Sequence, residues 1–482
     1  MTLTGPGSRP LAPRSTALAI AIPIFAAWVL PAAAEFMESP RDIPFARLEE
    51  NVRRYIEVNP RDPQGPYILG RLHAIAYAQA SEDLDDVYPG AEGSLPGMDV
   101  QSPTYMPEAE RAWAEAVRKY FDGNEPGALS PEDRAKFDFL VANLDLDDYA
   151  TREAAQKELL AMGIAAVPAL REVLAGTGLS SEQRARVQTV LSTISKPLEG
   201  ARHLREAIAW YAKALEIDPS HALSLLGTAW CLEEGGARDK SIDAYRKAHR
   251  AALEEELARA EWSHYSGGWH GSVALEAGER FLALSGTDGD ATERDEVAKN
   301  VARLREKLKT AAEWITPILV PLEPVRTLSE LLDPGRAVRF DLDGDGAPEL
   351  RPWIRPSAGF LVWDPRGTGK VESARQMFGS ITWYIPWNHG YEPLSLLDDN
   401  GDGRLAGAEL DGLSLWRDQD SDGISGPGEV LPLAAWGVEG LSCRALLGPG
   451  GPWSPSGVFF PDGETRPTFD WIPALAQEEP IE

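Results

Sequence analysis

Cysteine is nearly absent: 482 residues contain two, Cys231 and Cys443. They stand far apart and in different surroundings. Neither metal-ligand spacing nor a disulfide framework can be drawn from them, and two buried free thiols are expected. Histidine is also scarce, at seven. His264 and His270 lie close together, but a zinc site needs further ligands that the sequence does not offer, so a polar turn is expected there. Basic residues are outnumbered, 47 Lys and Arg against 75 Asp and Glu, for a net charge of −28. Such a chain is not built to track a phosphate backbone, and no nucleic-acid partner is expected. Apolar runs are short. The longest, Ala17 to Leu30, contains Pro23 and falls short of the ~20 residues that span a bilayer. No G-x-S-x-G elbow, H-E-x-x-H or nucleotide-binding glycine set occurs. Gly367-Thr368-Gly369-Lys370 is not a phosphate loop, because Asp364 and Val371 stand where Gly and Ser or Thr are required. No enzymatic activity is expected.

The apolar run has a different meaning. Arg9 and Arg14 precede it without any acid, and Ala32-Ala33-Ala34 follows before Glu35. This is the layout of a cleaved secretory signal over 1–34, which predicts an extracytoplasmic protein, periplasmic or secreted, with no stable membrane span.

What is abundant is acid, and near the C-terminus it is ordered. Asp398 to Glu409 (DDNGDGRLAGAE) and Asp418 to Glu429 (DQDSDGISGPGE) each carry side-chain oxygens at positions 1, 3, 5 and 12 and Gly at position 6. Ca²⁺ takes six to eight hard oxygen ligands, and this spacing supplies them, with a backbone carbonyl at position 7 and a bidentate Glu at position 12. The candidate ligands are Asp398, Asn400, Asp402, Arg404 (carbonyl) and Glu409 in one loop, and Asp418, Asp420, Asp422, Ile424 (carbonyl) and Glu429 in the other. Upstream, Asp341, Asp343 and Asp345 begin a similar loop whose last carboxylate is Glu349, because position 12 is Pro352. Asp364 to Arg375 keeps the leading Asp and the Gly but has Arg366 and Thr368 where acceptors belong, and reads as a metal-free relic. In chain order these are loops one (341–352), two (364–375), three (398–409) and four (418–429). Loops three and four are joined by Leu410 to Arg417 alone, for which one short shared helix is expected. That leaves little lever arm, so calcium is expected to stabilise rather than to signal. Chelation should then unfold this module and leave the helical region unaffected.

The preceding chain is helical by apolar spacing, with Gly, Pro and Asp punctuation. Residues 81–106 lack periodicity and are expected to form a long loop. Ala207, Tyr211, Ala214 and Pro219, then Leu226-Gly227, Ala229 and Trp230, then Ser241, Tyr245 and Ala248 resemble tetratricopeptide (TPR) repeats; the segment Tyr55 to Ala78, with Leu69-Gly70, is a weaker match. Tyr149 to Gly176 resembles a HEAT-type unit, with a following helix over Glu182 to Ile194 as its cover. From FDLDGDG at Phe340 to about Val438 the chain resembles an EF-hand-like calcium-binding module of secreted, RTX-associated bacterial proteins. The tail Gly457 to Ile472, together with the TPR and HEAT units, resembles planctomycete-type secreted EF-hand proteins. The resemblance implies calcium at loops one, three and four and implies no known activity.

The expected architecture is multidomain: a signal over 1–34, an all-α TPR/HEAT-like solenoid (TPR-like 35–145, HEAT-like 146–196, TPR and helices 197–316), a small loop-rich α+β EF-hand-like module over 325–475, and a tail over 476–482. Trp353, Trp363, Trp383, Trp387, Trp416, Trp436, Trp453 and Trp471 are expected to build that module's core. The functional expectation is a calcium-binding scaffold whose helices present a surface to a protein or peptide partner. The alternative is a calcium-dependent carbohydrate-binding or hydrolytic cell-surface protein that uses the aromatics.

Overall fold

The computed structural model describes residues 44–82, 108–258, 271–286, 291–308, 316–342, 348–448 and 450–472. The expected signal, most of the 81–106 loop, His264, His270, Asp343, Asp345 and the tail lie outside them. Twelve helices come first: α1 (Phe45–Val58), α2 (Gln64–Ala78), α3 (Glu108–Arg118), α4 (Pro131–Asn143), α5 (Tyr149–Met162), α6 (Val167–Ala175), α7 (Ser181–Ile194), α8 (Lys196–Ile217), α9 (Ala222–Glu234), α10 (Arg238–Ala258), α11 (Val273–Ser285) and α12 (Ala291–Leu308). No helix among the described residues is long and apolar enough to cross a membrane.

Local chemistry sets many of these boundaries. The Asp148 carboxylate caps α5 by accepting from Thr151 N, and Gly163 ends the helix with φ 61°, a conformation that glycine tolerates without strain. Pro168 occupies the first turn of α6. Ser180 and Gln183 form a reciprocal capping box on α7. Helices α8 to α12 then pack in succession, with α2 against α8. One aromatic organises that packing. A Cβ added to Gly70 of α2 or to Gly227 of α9 would each lie 2.5 Å from the Tyr211 ring of α8. Both Leu-Gly pairs thus exist to let their helices close on the same buried tyrosine.

The second half contains a nine-stranded antiparallel sheet in the order β5-β8-β10-β11-β1-β4-β6-β7, with β9 on β10, and a separate β2-β3 hairpin. The strands are β1 (Ile318–Pro321), β2 (Leu332–Phe340), β3 (Glu349–Ile354), β4 (Ala358–Trp363), β5 (Arg404–Ala406), β6 (Leu413–Trp416), β7 (Val430–Pro432), β8 (Gly440–Ser442), β9 (Leu446–Gly448), β10 (Gly451–Phe459) and β11 (Thr465–Asp470); a short helix α13 (Tyr391–Ser395) precedes loop three. The sheet includes β1, upstream of the expected boundary at 325.

Strands β1, β4 and β6 are buried along their whole length. Their side chains alternate between two cores: Ile318, Val320, Leu361, Trp363, Leu413 and Leu415 face one, and Leu319, Phe360, Val362 and Trp416 face the other. A strand buried on both faces reads as a continuous apolar run rather than as polar-apolar alternation. This explains the principal misreading. Leu410 to Arg417 is not a helix: Leu413–Trp416 is β6, paired with β4 and β7. Gly412, at φ 88° with the Trp363 ring against it, could not sit in a helix.

The expected independence of helices and module is also corrected. The first of these cores joins Leu48, Val52, Tyr67 and Leu72 of the helical region to Trp383, Tyr384, Tyr391 and Leu397 of the module. The Arg71 guanidinium, 1% exposed, donates to the Tyr384 carbonyl at 2.8 Å. Trp353, Trp363, Trp383, Trp387, Trp416 and Trp471 are buried, as expected of a core. Cys231 and Cys443 are both buried and free.

Candidate metal centre

Loops two, three and four share one backbone design. Positions 4 and 6 have positive φ in each: Gly367 (62°) and Gly369 (68°), Gly401 (74°) and Gly403 (87°), Ser421 (57°) and Gly423 (77°). The leading aspartate then collects N–H groups from the turn it heads. Asp398 Oδ1 accepts from Gly401 N and Asp402 N, and Oδ2 from Gly403 N at 2.7 Å. In loop four Asp418 accepts from Asp422 N and, at 2.9 Å, from Gly423 N. Loop two repeats this with Asp364, which accepts from Thr368 N at 2.8 Å and Gly369 N at 2.9 Å.

Smaller turns aim the remaining oxygens. Asn400 Oδ1 accepts from Asp402 N, and Asp402 Oδ1 from Arg404 N. In loop four Asp422 Oδ1 accepts from Ile424 N. Each closing glutamate bends back over its loop. Glu409 Oε1 takes Asp399 N and Asn400 N while Oε2 takes Ala406 N. Glu429 Oε1 takes Gln419 N and Oε2 takes Gly426 N. Asp418, Asp420 and Asp422 present oxygens within 4.8 Å of one another, and Asp418 is fully buried.

That donor set has the chemistry of a metal site. It consists of hard oxygens only, three of them carboxylates converging in loop four, and burial pushes the Asp418 carboxyl up against the opposing effect of the Gly423 N–H and the Trp353 indole. A carboxylate cluster of this kind could hold a metal ion. Arg404, at position 7, opens β5 opposite Ser442. Ile424 is 66% exposed.

The loop at Asp341 is only partly described. Asp341 is buried. Glu349 opens β3 opposite Phe340, with its Oε2 3.5 Å from the Arg351 guanidinium. In loop two Lys370 and Glu372 are tied to the Gln376 amide, and the loop carries no carboxylate cluster.

Three features escaped the sequence reading. Trp353 Nε1 donates to Asp418 Oδ2 at 2.5 Å, and the Cys443 thiol lies 3.7 Å from Asp398 Oδ2 as a donor; burial and the Asp398 charge push that thiol up to about 12. Asp399, at position 2 of loop three, is gripped by Arg47 and Asn51 of α1. Only the last left a trace in sequence: an acid at position 2 where loop four has Gln419.

Residues 329–447 match the family of the SPM domain, well short of half the chain. A stretch of 107 residues is 33% identical to the iron-regulated protein FrpA of Neisseria meningitidis serogroup C. It covers 21% of this chain and 10% of that protein. The chain spans about a tenth of the length of this relative.

Proposed function

We propose that this chain is a secreted or periplasmic calcium-binding scaffold, in which loops three and four hold Ca²⁺ to stabilise the sheet module while the helices offer a surface to a protein or peptide. The observation that carries the reading is the repetition of one cage: the same positive-φ pair, the same N–H collar on the leading aspartate and the same back-bent glutamate in loops 398–409 and 418–429. The resemblance to secreted calcium-binding modules and the signal-like segment 1–34 support the location. Asp398, Asn400, Asp402 and Glu409 would hold one ion, and Asp418, Asp420, Asp422 and Glu429 the other. Calorimetry on the mature chain tests this. Two or more Ca²⁺ per chain, bound in preference to Mg²⁺ and reduced by one in Glu429→Gln, is the expected result; fewer than two sinks it.

One observation favours a second reading. A groove of about 570 Å³ runs between Trp436 and Phe460, flanked by Arg417, Arg466 and Asp462, within the size of small-ligand sites. Arg417, on its wall, immediately precedes loop four, and its N donates to the Glu429 carbonyl. This is the geometry a calcium-dependent carbohydrate site would use. A glycan array probed with the whole chain, with calcium and with chelator, distinguishes the two readings.

A further inference from the structure

Loop three is held from outside by a helix of the other half of the chain. Arg47 Nε donates to Asp399 Oδ1 at 2.8 Å, and its Nη2 donates to the Leu397 carbonyl at 2.6 Å and the Glu409 carbonyl at 3.4 Å. One turn on, Asn51 Nδ2 donates to the Leu396 carbonyl at 2.8 Å and to Asp399 Oδ1 at 2.7 Å. A further turn on, Arg54 Nη1 donates to the Asp399 carbonyl at 2.5 Å. Asn51 is 7% exposed. Although burial opposes ionisation of Asp399, the Arg47 and Asn51 bonds outweigh it and hold this carboxyl below its ordinary range.

The acceptors are not arbitrary. Leu397 immediately precedes position 1 and Glu409 is position 12, so the Arg47 guanidinium bridges the two ends of the loop. A cation shared by Asp398 and Glu409 draws those same ends together from inside. Without it, the carboxylates of Asp398, Asp402 and Glu409 repel one another and the ends separate. Among the described residues, loop four has no such partner from the helices. Its outer carbonyls, at Asp420 and Ser421, receive Arg336 from the module's own β2.

We infer that loop three is a calcium-operated clasp that fastens α1 to the module, whereas loop four is a staple internal to the module. The inference rests on the calcium reading of loop three and goes beyond it, because it assigns the two ions different tasks. Linkage makes the coupling reciprocal: calcium in loop three tightens the docking of α1, and α1 raises the calcium affinity of loop three by the same factor. It also reverses the expectation that chelation leaves the helices untouched.

Hydrogen exchange on the mature full-length chain reads this directly. Chelation should speed exchange of the α1 amides at least tenfold while those of α10 to α12 stay unchanged. Glu409→Gln should reproduce the effect in saturating calcium, and Glu429→Gln should not. Arg47→Ala with Asn51→Ala should weaken one of the two calcium sites about tenfold and spare the other, and Arg47→Lys, which keeps the charge but cannot bridge both ends, should fall between. If two ions bind by calorimetry and α1 exchange is indifferent to them, the clasp is wrong while the calcium reading stands. If no ion binds, both fall together.

Discussion

Trp353 Nε1 and Asp418 Oδ2 meet at 2.5 Å across 65 residues of chain, which ties loop four to the aromatic core. The Trp353 ring packs against Phe340, Phe360 and Trp416 with centroids between 5.1 and 5.8 Å. The same side chain therefore fills the core and pins the leading aspartate of loop four. Trp353→Phe keeps most of the packing and removes only the donor, leaving a buried carboxylate oxygen with one partner fewer. A hydrogen bond to a charged group contributes about 1.5–3 kcal/mol, and removing such an outer-shell partner lowers metal affinity roughly 10- to 100-fold. Competition titration with a calcium dye should show one weakened site and one unchanged. Equal weakening of both sites would count against a local role for the indole.

Loop two supplies the internal control. Asp364 makes the same N–H collar as Asp398 and Asp418, but positions 3, 5 and 12 of its loop, Arg366, Thr368 and Arg375, carry no carboxylate, so its bonds serve the turn alone. Asp364→Ala should cost on the order of 2 kcal/mol from unpaired N–H groups and leave the calcium count unchanged. Chemical denaturation with and without calcium, alongside calorimetry, measures both. A lost ion in this variant would mean that the relic is a working site.

What was legible in the sequence was local. The spacing of the acidic loops and the apolar periods of the helices are each set within a few residues of one another, and local chemistry decides them. Strand β6 was not legible, because four apolar residues buried on both faces have no period that separates strand from helix. Trp353, Cys443, Arg47 and Asn51 were invisible for another reason. Their partners lie between 45 and 362 residues away, and only the folded sheet and the docked helices bring them together.

The repeat-like glycines make a prediction about packing. Gly227→Ala places a methyl group 2.5 Å from the Tyr211 ring, and overpacking of a fixed core costs about 1–3 kcal/mol. In the double variant with Tyr211→Leu the penalty should shrink, because the smaller side chain vacates the space the methyl needs. Urea midpoints of the four proteins form the cycle. Simple additivity would show that the helices meet somewhere other than at this ring.

The helical region also carries a buried histidine pair whose pH response has a definite sign. His73 Nδ1 and His203 Nδ1 are 2.9 Å apart. Arg202 Nη2 lies 3.2 Å and Glu82 Oε1 3.3 Å from His203 Nε2. Burial pushes His73 down to about 4, against the pull of Glu49, and pushes His203 down to about 3, with Arg202 and His73 acting in the same direction. In the unfolded chain both titrate near 6.5. The unfolded state therefore binds more protons than the native state between about pH 6.5 and 4, and stability must fall as pH falls through that window. The loss is at most about 2 kcal/mol per histidine by pH 5. Denaturation midpoints of the wild type should drop across this range, and those of His203→Phe should drop less, since one titrating group is gone. An equal pH dependence in the two proteins would place the acid sensitivity elsewhere in the chain.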